Sequence, residues 1–279
     1  MAKAVVFDLD GVVYRGAHGI PGVAAEIARL QKKMPVLFLT NNATKSRMEY
    51  VRHLARFGIT AEPKDVMTSA FGCAHYVLEK FGKGKKVFVI GEAGLRYELE
   101  GEAMAELVEE GAEIVVCGLD REISYARLDA GLKQLVAKAK FILANSDPTY
   151  PTENGVSPGS GAIAASLIYA SGRKPDVVIG KPGEYLPRKL LEMHGVKPRD
   201  AIFVGDRLDI DIRVANKLGM KSVLVLSGIA KKSDLKRVKR GDRPKLVLES
   251  AAGLGKALKI LFCLMAAGCL LGKRRRLPE

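Results

Sequence analysis

Clustered carboxylates follow short apolar runs near both ends of the sequence. Asp8 and Asp10 end the run AVVFDLD, and Asp206 and Asp211 lie in the run GDRLDIDI. Carboxylates that lie close together repel one another unless a cation or a proton is shared among them. Because ligands that are all oxygen favour a hard cation, a site of a few carboxylates predicts magnesium.

Two further polar groups also follow apolar runs. Thr40, Asn41 and Asn42 come after PVLFL, and Lys181 comes after DVVIG. The lysine and the threonine hydroxyl are suited to donate hydrogen bonds to phosphoryl oxygens. A carboxylate is able to act as a nucleophile and to form an aspartyl-phosphate. Together these residue types indicate phosphoryl transfer.

Short β-branched runs alternate with longer helical patterns along the chain. The predicted strands are residues 4–8, 35–40, 86–91, 113–118, 140–145, 176–180, 201–206 and 221–227. The predicted helices are residues 22–33, 45–57, 70–80, 124–138, 161–171, 184–194 and 209–218. This alternation predicts an α/β fold with a parallel sheet. Ligands of such a sheet bind beyond the carboxyl ends of its strands, so we expect the polar groups to converge at one edge.

The composition favours a globular protein of one large or two modest domains. The 279 residues are 48% hydrophobic and 27% charged, with a formal net charge of +14. That charge attracts anions such as phosphorylated metabolites, and it also fits nucleic acid or an acidic membrane. Aromatic residues make up only 6% and include no tryptophan, which leaves few platforms for stacking bases. We therefore expect no nucleic-acid partner.

The cysteine spacing and the N-terminus predict a cytoplasmic location. Cys73, Cys117, Cys263 and Cys269 show neither a CxxC pair nor the spacing of a disulfide framework, so we expect reduced thiols. The N-terminus carries charged residues close to its start, which is not typical of a signal peptide.

Four short segments together carry a family resemblance. DLDGV, LTNN, GKP and GDRLDID, in this order, resemble the four motifs of the haloacid dehalogenase superfamily. Their spelling is similar to that of the NagD-like and p-nitrophenylphosphatase-like branch, which includes phosphoglycolate phosphatases. The resemblance extends from about residue 4 to about residue 250.

The resemblance implies a role for each motif residue. Asp8 is then the nucleophile, and Asp10 is the general acid and base. An acid two residues after the nucleophile separates phosphatases from dehalogenases in this family, because a halide leaves without a proton. Phosphate and substrate are then bound by Thr40, Asn41, Asn42 and Lys181. Mg2+ is then bound by Asp8, Asp10, Asp206 and Asp211.

The fourth motif departs from the family pattern at one position. Ile210 stands where the family often has threonine, just before the last aspartate. Asp209 is an additional acid, which we expect to be solvated or to cap the next helix. It is therefore left outside the predicted site.

The spacing of the motifs predicts an inserted domain. The segment between the second and third motifs is far longer than one βαβ crossover needs. We predict a Rossmann-like parallel-sheet core of residues 1–80 and 177–256, with a smaller α/β cap of residues 81–176 inserted between those motifs. The resemblance implies that the cap closes over the site, excludes water and selects the substrate.

Residues 144–167 resemble the cap segment that faces the catalytic crevice in the family. Ser157 and Gly159 precede a predicted helix, whose N-terminal amides either receive an anion or form an ordinary helix cap. Both readings stay open from the sequence. Asn145 and Asp147 carry a weaker signal, and no cap residue identifies the substrate. The resemblance also allows a homodimer formed through the cap.

The C-terminal segment, residues 257–279, lies outside the resemblance. It runs apolar from Ile260 to Leu271 and then becomes basic. The apolar part is too short to span a bilayer as a helix, which needs about 20 residues. Two readings stay open: packing on the core or on another subunit, or peripheral contact with a membrane surface through the basic run.

These observations predict a magnesium-dependent phosphatase that hydrolyses a small phosphorylated metabolite through an aspartyl-phosphate. Phosphoglycolate, p-nitrophenyl phosphate, sugar phosphates and nucleotides all remain open as substrates. One alternative is a phosphomutase, which returns the phosphoryl group to its substrate. Another is a non-catalytic protein that binds a phosphorylated metabolite, although such a protein is expected to carry a damaged motif and none is damaged.

Overall fold

β-branched and aromatic residues form the strands of the fold, and the segments between them form helices. The computed structural model describes residues 2–152 and 155–258. Its strands are β1 (Ala4–Asp8), β2 (Tyr14–Arg15), β3 (His18–Gly19), β4 (Val36–Thr40), β5 (Val66–Thr68), β6 (Lys86–Ile90), β7 (Glu106–Leu107), β8 (Ile114–Cys117), β9 (Lys140–Leu143), β10 (Thr149–Thr152), β11 (Gly155–Pro158), β12 (Val177–Val178), β13 (Ala201–Gly205), β14 (Lys221–Val225) and β15 (Leu246–Leu248). Its helices are α1 (Val23–Gln31), α2 (Arg47–Ala55), α3 (Ser69–Phe81), α4 (Ala93–Glu102), α5 (Tyr125–Val136), α6 (Ser160–Ser171), α7 (Tyr185–Met193) and α8 (Arg213–Lys217).

The larger sheet is parallel and has β1 near its centre. Its strand order is β15-β14-β13-β1-β4-β5, and β1 pairs in parallel with β13 on one side and with β4 on the other. Every residue of β1 is buried, because apolar clusters with helices cover both faces of the sheet. Since the chain continues to β4 on one side and returns to β13 on the other, the ligand crevice of this sheet lies beyond Asp8. The predicted α/β fold with a parallel sheet is confirmed.

The second sheet is also parallel and corrects one strand of the prediction. Its order is β12-β9-β8-β6-β7, and α5 and α6 cover one of its faces. The strand predicted at 176–180 was assigned to the core, which was predicted to resume at residue 177, but Val177–Val178 pairs with β9 of the second sheet. The expected domain boundary at residue 177 therefore cuts off the last strand of the second sheet. Lys181 enters the crevice from the edge of this sheet.

A buried apolar cluster joins the two sheets. It contains Leu39 of β4, Phe71 of α3, Val89 of β6 and Leu95 of α4, and α3 packs along α4. The helical pattern of the sequence does not predict α4. Because one continuous cluster crosses the expected boundary, the division into a separate core and cap stays a prediction.

Helix α4 lies directly against the loop that follows β4. The Gly94 amide donates to the Thr44 carbonyl at 3.2 Å, and a Cβ added at Gly94 would overlap the backbone of Lys45. Glycine is therefore required at this contact. Next to it, the buried Glu98 carboxylate accepts a hydrogen bond from the Arg47 amide at 2.7 Å. The first helix of the second sheet thus holds the loop in place.

Part of the sequence prediction falls outside the described residues. Residues 259–279 lie outside them, so both readings of the C-terminal segment stay predictions, as do those for Cys263 and Cys269. Of the helices in residues 2–152 and 155–258, none has the length and apolarity needed to cross a bilayer. Cys73 and Cys117 are buried free thiols.

We expect Gly94→Ala to destabilise the protein, because the new Cβ would force α4 away from the backbone of Lys45. Overpacking of such a contact typically costs about 1–3 kcal/mol, so the midpoint of thermal unfolding should fall by several degrees. The matched control is Gly101→Ala in the same helix, where an added Cβ meets nothing within 4 Å. That change should be neutral or stabilise by up to about 1 kcal/mol. Equal midpoints for the two variants would contradict the close contact.

Candidate active site

The turn after β1 sets the positions of Asp8 and Asp10. The Val13 amide donates to the Leu9 carbonyl at 2.8 Å, which closes a tight turn. Gly11 lies inside this turn with a φ of 78°, a conformation that glycine adopts without strain. The turn leaves Asp8 buried at the end of the strand and Asp10 exposed at the mouth of the crevice.

Lys181 is a buried cation between two buried carboxylates. Its Nζ lies 2.6 Å from Asp8 Oδ1 and 2.7 Å from Asp211 Oδ1. Burial lowers the pKa of Lys181, but the charges of Asp211 and Asp8 and their hydrogen bonds outweigh it, and the pKa is raised. Burial raises the pKa of Asp8, and the Lys181 charge opposes that rise. The lysine therefore stays charged beside the predicted nucleophile.

Asp206 and Asp211 lie in the segment that follows β13. Asp206 Oδ2 accepts a hydrogen bond from the Ile229 amide at 2.7 Å. Asp211 lies in a π-helical turn, Leu208–Ile212, and its Oδ2 accepts from the amides of Asp206 at 3.2 Å and Arg207 at 3.1 Å. With the lysine contact, both oxygens of Asp211 have partners. Such turns are frequent at functional sites.

Glycines leave the space that these carboxylates occupy. A Cβ at Gly11 would lie 2.5 Å from Asp206 Oδ2, and a Cβ at Gly228 would overlap the same carboxylate. A Cβ at Gly205 would overlap the side chain of Asp211. A larger residue at any of these positions would displace a carboxylate of the site.

The carboxylates of Asp8, Asp206 and Asp211 are suited to hold a metal ion. Each offers an oxygen, and these oxygens lie within 4.8 Å of one another. Burial, together with the Asp211 charge, raises the pKa of Asp206 to about 7, so the cluster is costly to ionise without a cation. Lys181 alone does not neutralise it. A buried set of oxygen donors fits magnesium.

Three of the predicted phosphate-binding residues lie at the end of β4 and in the loop after it, and one of them, Asn41, contacts Lys181. Thr40 is buried, and its Oγ1 accepts from the Asn42 amide at 3.1 Å. Asn42 Oδ1 accepts from the Thr44 amide at 2.8 Å, so its side chain closes the turn. Asn41 Oδ1 accepts from the Lys181 amide at 2.7 Å, and its Nδ2 donates to the Lys181 carbonyl at 2.9 Å. The Asn41 side chain therefore joins this loop to the backbone of the lysine.

Asp10 has a carboxyl group with a pKa close to neutrality. It reaches solvent through the crevice, but most of its surroundings are protein, and this burial raises its pKa to about 6. The charges of Lys45 and Lys181 oppose the rise. A carboxyl group that titrates near neutral pH is suited to both giving and taking a proton.

Two residues that the sequence analysis gave little weight contact the loop after β4. Asn145 Nδ2 donates to the Asn41 carbonyl at 2.7 Å. Asp147 accepts from Asn41 Nδ2 at 3.0 Å and from Arg207 Nη1 at 3.3 Å. Sequence reasoning did not single out Arg207, and the available signal was its place directly after a motif aspartate. Asp209, left outside the site, is exposed and pairs with Arg207.

The N-terminus of α6 is closed by the chain itself. The Gly159 amide donates to the Pro148 carbonyl at 2.8 Å, and the Gly161 amide donates to the Asp147 carbonyl at 2.9 Å. These contacts favour the ordinary helix cap over the anion site that the sequence left open.

Comparison with known proteins identifies the family. The profile described as haloacid dehalogenase-like hydrolase matches residues 5–118, and a profile described as HAD-hydrolase-like matches residues 178–254. The chain is 33% identical over 274 residues to a 4-nitrophenylphosphatase from Schizosaccharomyces pombe, over 89% of this chain and 92% of the relative. The chain belongs to the haloacid dehalogenase-like hydrolases, as its motifs predicted.

Solved structures specify the branch of the family. A p-nitrophenyl phosphatase from Archaeoglobus fulgidus superimposes with a TM-score of 0.87 at 30% identity, over 92% of this chain and 99% of the other. A glycerol phosphate phosphatase from Mycobacterium tuberculosis, solved in complex with magnesium, superimposes with a TM-score of 0.83 at 33% identity, over 90% and 76%. Within the family, the chain lies in the class IIA branch that holds these phosphatases.

We expect the metal-free protein to lose stability as the pH rises, because Asp206 is harder to ionise in the fold than in the unfolded chain. Its usual pKa is 3.8 and its folded pKa is about 7. Its contribution to stability is therefore complete below pH 3.8 and is lost as the pH rises through about 7. Asp206→Asn removes this dependence. The free energy of unfolding of the wild type minus that of the variant should fall by on the order of 2–4 kcal/mol between pH 4 and pH 8.

Urea unfolding in the presence of a chelator, at both pH values, measures this difference. A difference that stays constant from pH 4 to pH 8 would contradict the raised pKa of Asp206.

Proposed function

We propose that this protein is a magnesium-dependent phosphatase that hydrolyses small phosphate monoesters through an aspartyl-phosphate on Asp8. The position of Asp8 carries the proposal. It ends the central strand, Lys181 contacts it at 2.6 Å, and Asp206 and Asp211 offer oxygens within 4.8 Å. Membership of a hydrolase family and the phosphatase activities named for its relatives support the same reaction.

Magnesium would be held by the carboxylates of Asp8 and Asp206 and by the Asp10 carbonyl. Asp211 would support this set indirectly, since its oxygens are engaged with Lys181 and with two backbone amides. The presence of magnesium in the glycerol phosphate phosphatase relative supports this assignment. When bound, magnesium offsets the negative charge of the carboxylates and of the phosphoryl group.

The first step transfers the phosphoryl group to the enzyme. The Asp8 carboxylate forms a bond to phosphorus as the bond to the ester oxygen breaks, and Asp10 gives that oxygen its proton. Lys181 stabilises the charge on the phosphoryl oxygens, and Thr40 with the Asn41 amide binds them. A pKa of about 6 allows Asp10 to carry this proton near neutral pH.

The second step hydrolyses the aspartyl-phosphate. Asp10, now ionised, takes a proton from water, and the water oxygen bonds to phosphorus as the bond to Asp8 breaks. Phosphate leaves, and Asp8 and Asp10 return to their initial ionisation states. Asp10 therefore acts in turn as acid and as base.

The substrate class we propose is a small phosphorylated metabolite. The second sheet reaches the crevice through Asn145 and Asp147, which both contact Asn41, so it limits the space beside the phosphoryl site. The relatives are named for 4-nitrophenyl phosphate and glycerol phosphate, which are both small monoesters. Pairing through the second sheet and a cytoplasmic location stay predictions.

Phosphate release from a panel of monoesters tests the proposal. The panel contains 4-nitrophenyl phosphate, glycerol 3-phosphate, phosphoglycolate, a sugar phosphate and a nucleoside monophosphate, each with magnesium and with chelator. We expect release that requires magnesium and falls by at least about a thousandfold in Asp8→Asn, because an amide does not attack phosphorus. Asp209→Asn is the matched control and should keep the wild-type rate.

Two results would contradict the proposal. Release by Asp8→Asn at the wild-type rate would refute the mechanism. A wild type that releases phosphate from no ester would refute the function.

We expect Asp10→Asn to separate the two chemical steps. 4-Nitrophenolate departs without a proton, whereas the glycerol oxygen needs one, so the first step should slow by about 10²–10⁴-fold more for glycerol 3-phosphate. The second step needs a base with either ester. With 4-nitrophenyl phosphate the variant should therefore release one equivalent of nitrophenol and stop at a phosphate adduct on Asp8, which mass spectrometry detects. An equal loss of rate for both esters without an adduct would contradict this role of Asp10.

A further inference from the structure

Asp147 lies where the second sheet meets the loop after β4. Its Oδ2 accepts a hydrogen bond from Asn41 Nδ2 at 3.0 Å, and its Oδ1 accepts from Arg207 Nη1 at 3.3 Å. Arg207 directly follows Asp206 at the end of β13. One carboxylate therefore joins three segments that are remote in sequence, and two of them carry residues of the candidate active site.

Asn41 links this contact to Lys181. Its side-chain amide makes hydrogen bonds to both the amide and the carbonyl of the Lys181 backbone, at 2.7 and 2.9 Å. The same Nδ2 group contacts Asp147. The Nζ of Lys181 then lies 2.6 Å from Asp8. Hydrogen bonds and the side chain of Lys181 thus link the second sheet to Asp8.

We infer that Asp147 and Arg207 are positioning residues, which hold the Asn41 side chain so that Lys181 meets the phosphoryl group beside Asp8. The inference rests on the proposed function and assigns part of the second sheet to it. The position of the second sheet at the crevice is thereby coupled to the position of the Lys181 ammonium, which binds phosphate.

The side chain of Asp147 is not needed to hold its own loop. The backbone does this, because the Asp147 amide donates to Asn145 Oδ1 at 3.2 Å and the Asp147 carbonyl accepts from the Gly161 amide at 2.9 Å. The carboxylate and the Arg207 guanidinium are both half-buried, so their charges interact more strongly than at a fully exposed surface. Removing the carboxylate should therefore leave the loop in place and leave the Asn41 side chain held only by its two hydrogen bonds to the Lys181 backbone, so that both can shift together.

A displaced lysine has a recognisable kinetic effect. A misplacement of about 1 Å costs on the order of 10²-fold in rate. Because Lys181 contacts the phosphoryl group, the loss should be the same factor for every monoester, and inorganic phosphate should bind more weakly. A residue that contacts the leaving group would instead give factors that differ among esters and would leave the affinity for phosphate unchanged.

The test compares Asp147→Asn with Asp209→Asn. Each variant removes a carboxylate that lies 3.3 Å from the Arg207 guanidinium, but Asp147 also contacts Asn41. We expect Asp147→Asn to lower kcat/KM by about 10–100-fold, by one common factor for 4-nitrophenyl phosphate and glycerol 3-phosphate. The Kd of inorganic phosphate, measured by calorimetry with magnesium, should rise severalfold. Asp209→Asn should match the wild type in both measurements.

A second variant and the wild type complete the test. Arg207→Gln removes the contact between Arg207 and Asp147 from the other side and should reproduce part of the effect. This variant keeps the inference testable if Asp147→Asn fails to fold. The inference is overturned if Asp147→Asn matches Asp209→Asn, or if the factors differ among esters while the affinity for phosphate is unchanged. A wild type without turnover would refute the proposed function instead, and the phosphate affinities would still decide the inference.

Discussion

A lysine ammonium enclosed by two carboxylates is the interaction around which the site is arranged. Taking such charges out of water costs several kcal/mol for each ion, and the cost is offset only by close pairing with good hydrogen bonds. Lys181 has both, because Asp8 and Asp211 lie within 2.7 Å of its Nζ. Asp211 is fixed in turn by two backbone amides. Burial raises the pKa of Asp8, and the charge of Lys181 opposes that rise.

The loop after β4, which carries the predicted phosphate-binding residues, is held from two sides by the second sheet. On one side, α4 approaches so closely that the backbone of Lys45 occupies the space that a Cβ at Gly94 would need. On the other side, Asn145 and Asp147 bind Asn41. Hydrogen-bond donors on a loop held in this way keep their positions in the absence of substrate. Donors that are already in place lower a reaction barrier because they do not have to rearrange during the reaction. The second sheet therefore serves as a scaffold for this loop.

Sequence patterns predicted the parts of the site that follow from strand ends. Asp8 and its counterparts on β4 and β13 converge because these strands are neighbours in a parallel sheet. Lys181 reaches the same place, although the short strand before it joins the other sheet. The apolar pattern of that strand fits either sheet, so the sequence alone does not show which sheet it joins. The sequence did not predict helix α4, because the glycines in it lower helix propensity. Gly94 is explained only by its contact with the backbone of Lys45. Asp147 and Arg207 are residue types that are common on protein surfaces, so the sequence gives no sign of their contact with each other.

The position of β1 in the sheet has a consequence for synthesis on the ribosome. This strand precedes the whole second sheet in the chain, whereas its neighbour β13 begins at Ala201 and follows that sheet. Until Ala201 emerges, one edge of an apolar strand has no partner from its own chain, and such edges pair readily with other chains. The central sheet is completed only by contacts between residues far apart in sequence, and sheets that depend on such contacts fold slowly. Asp8 is thus made before Lys181 and Asp211, which surround it in the fold.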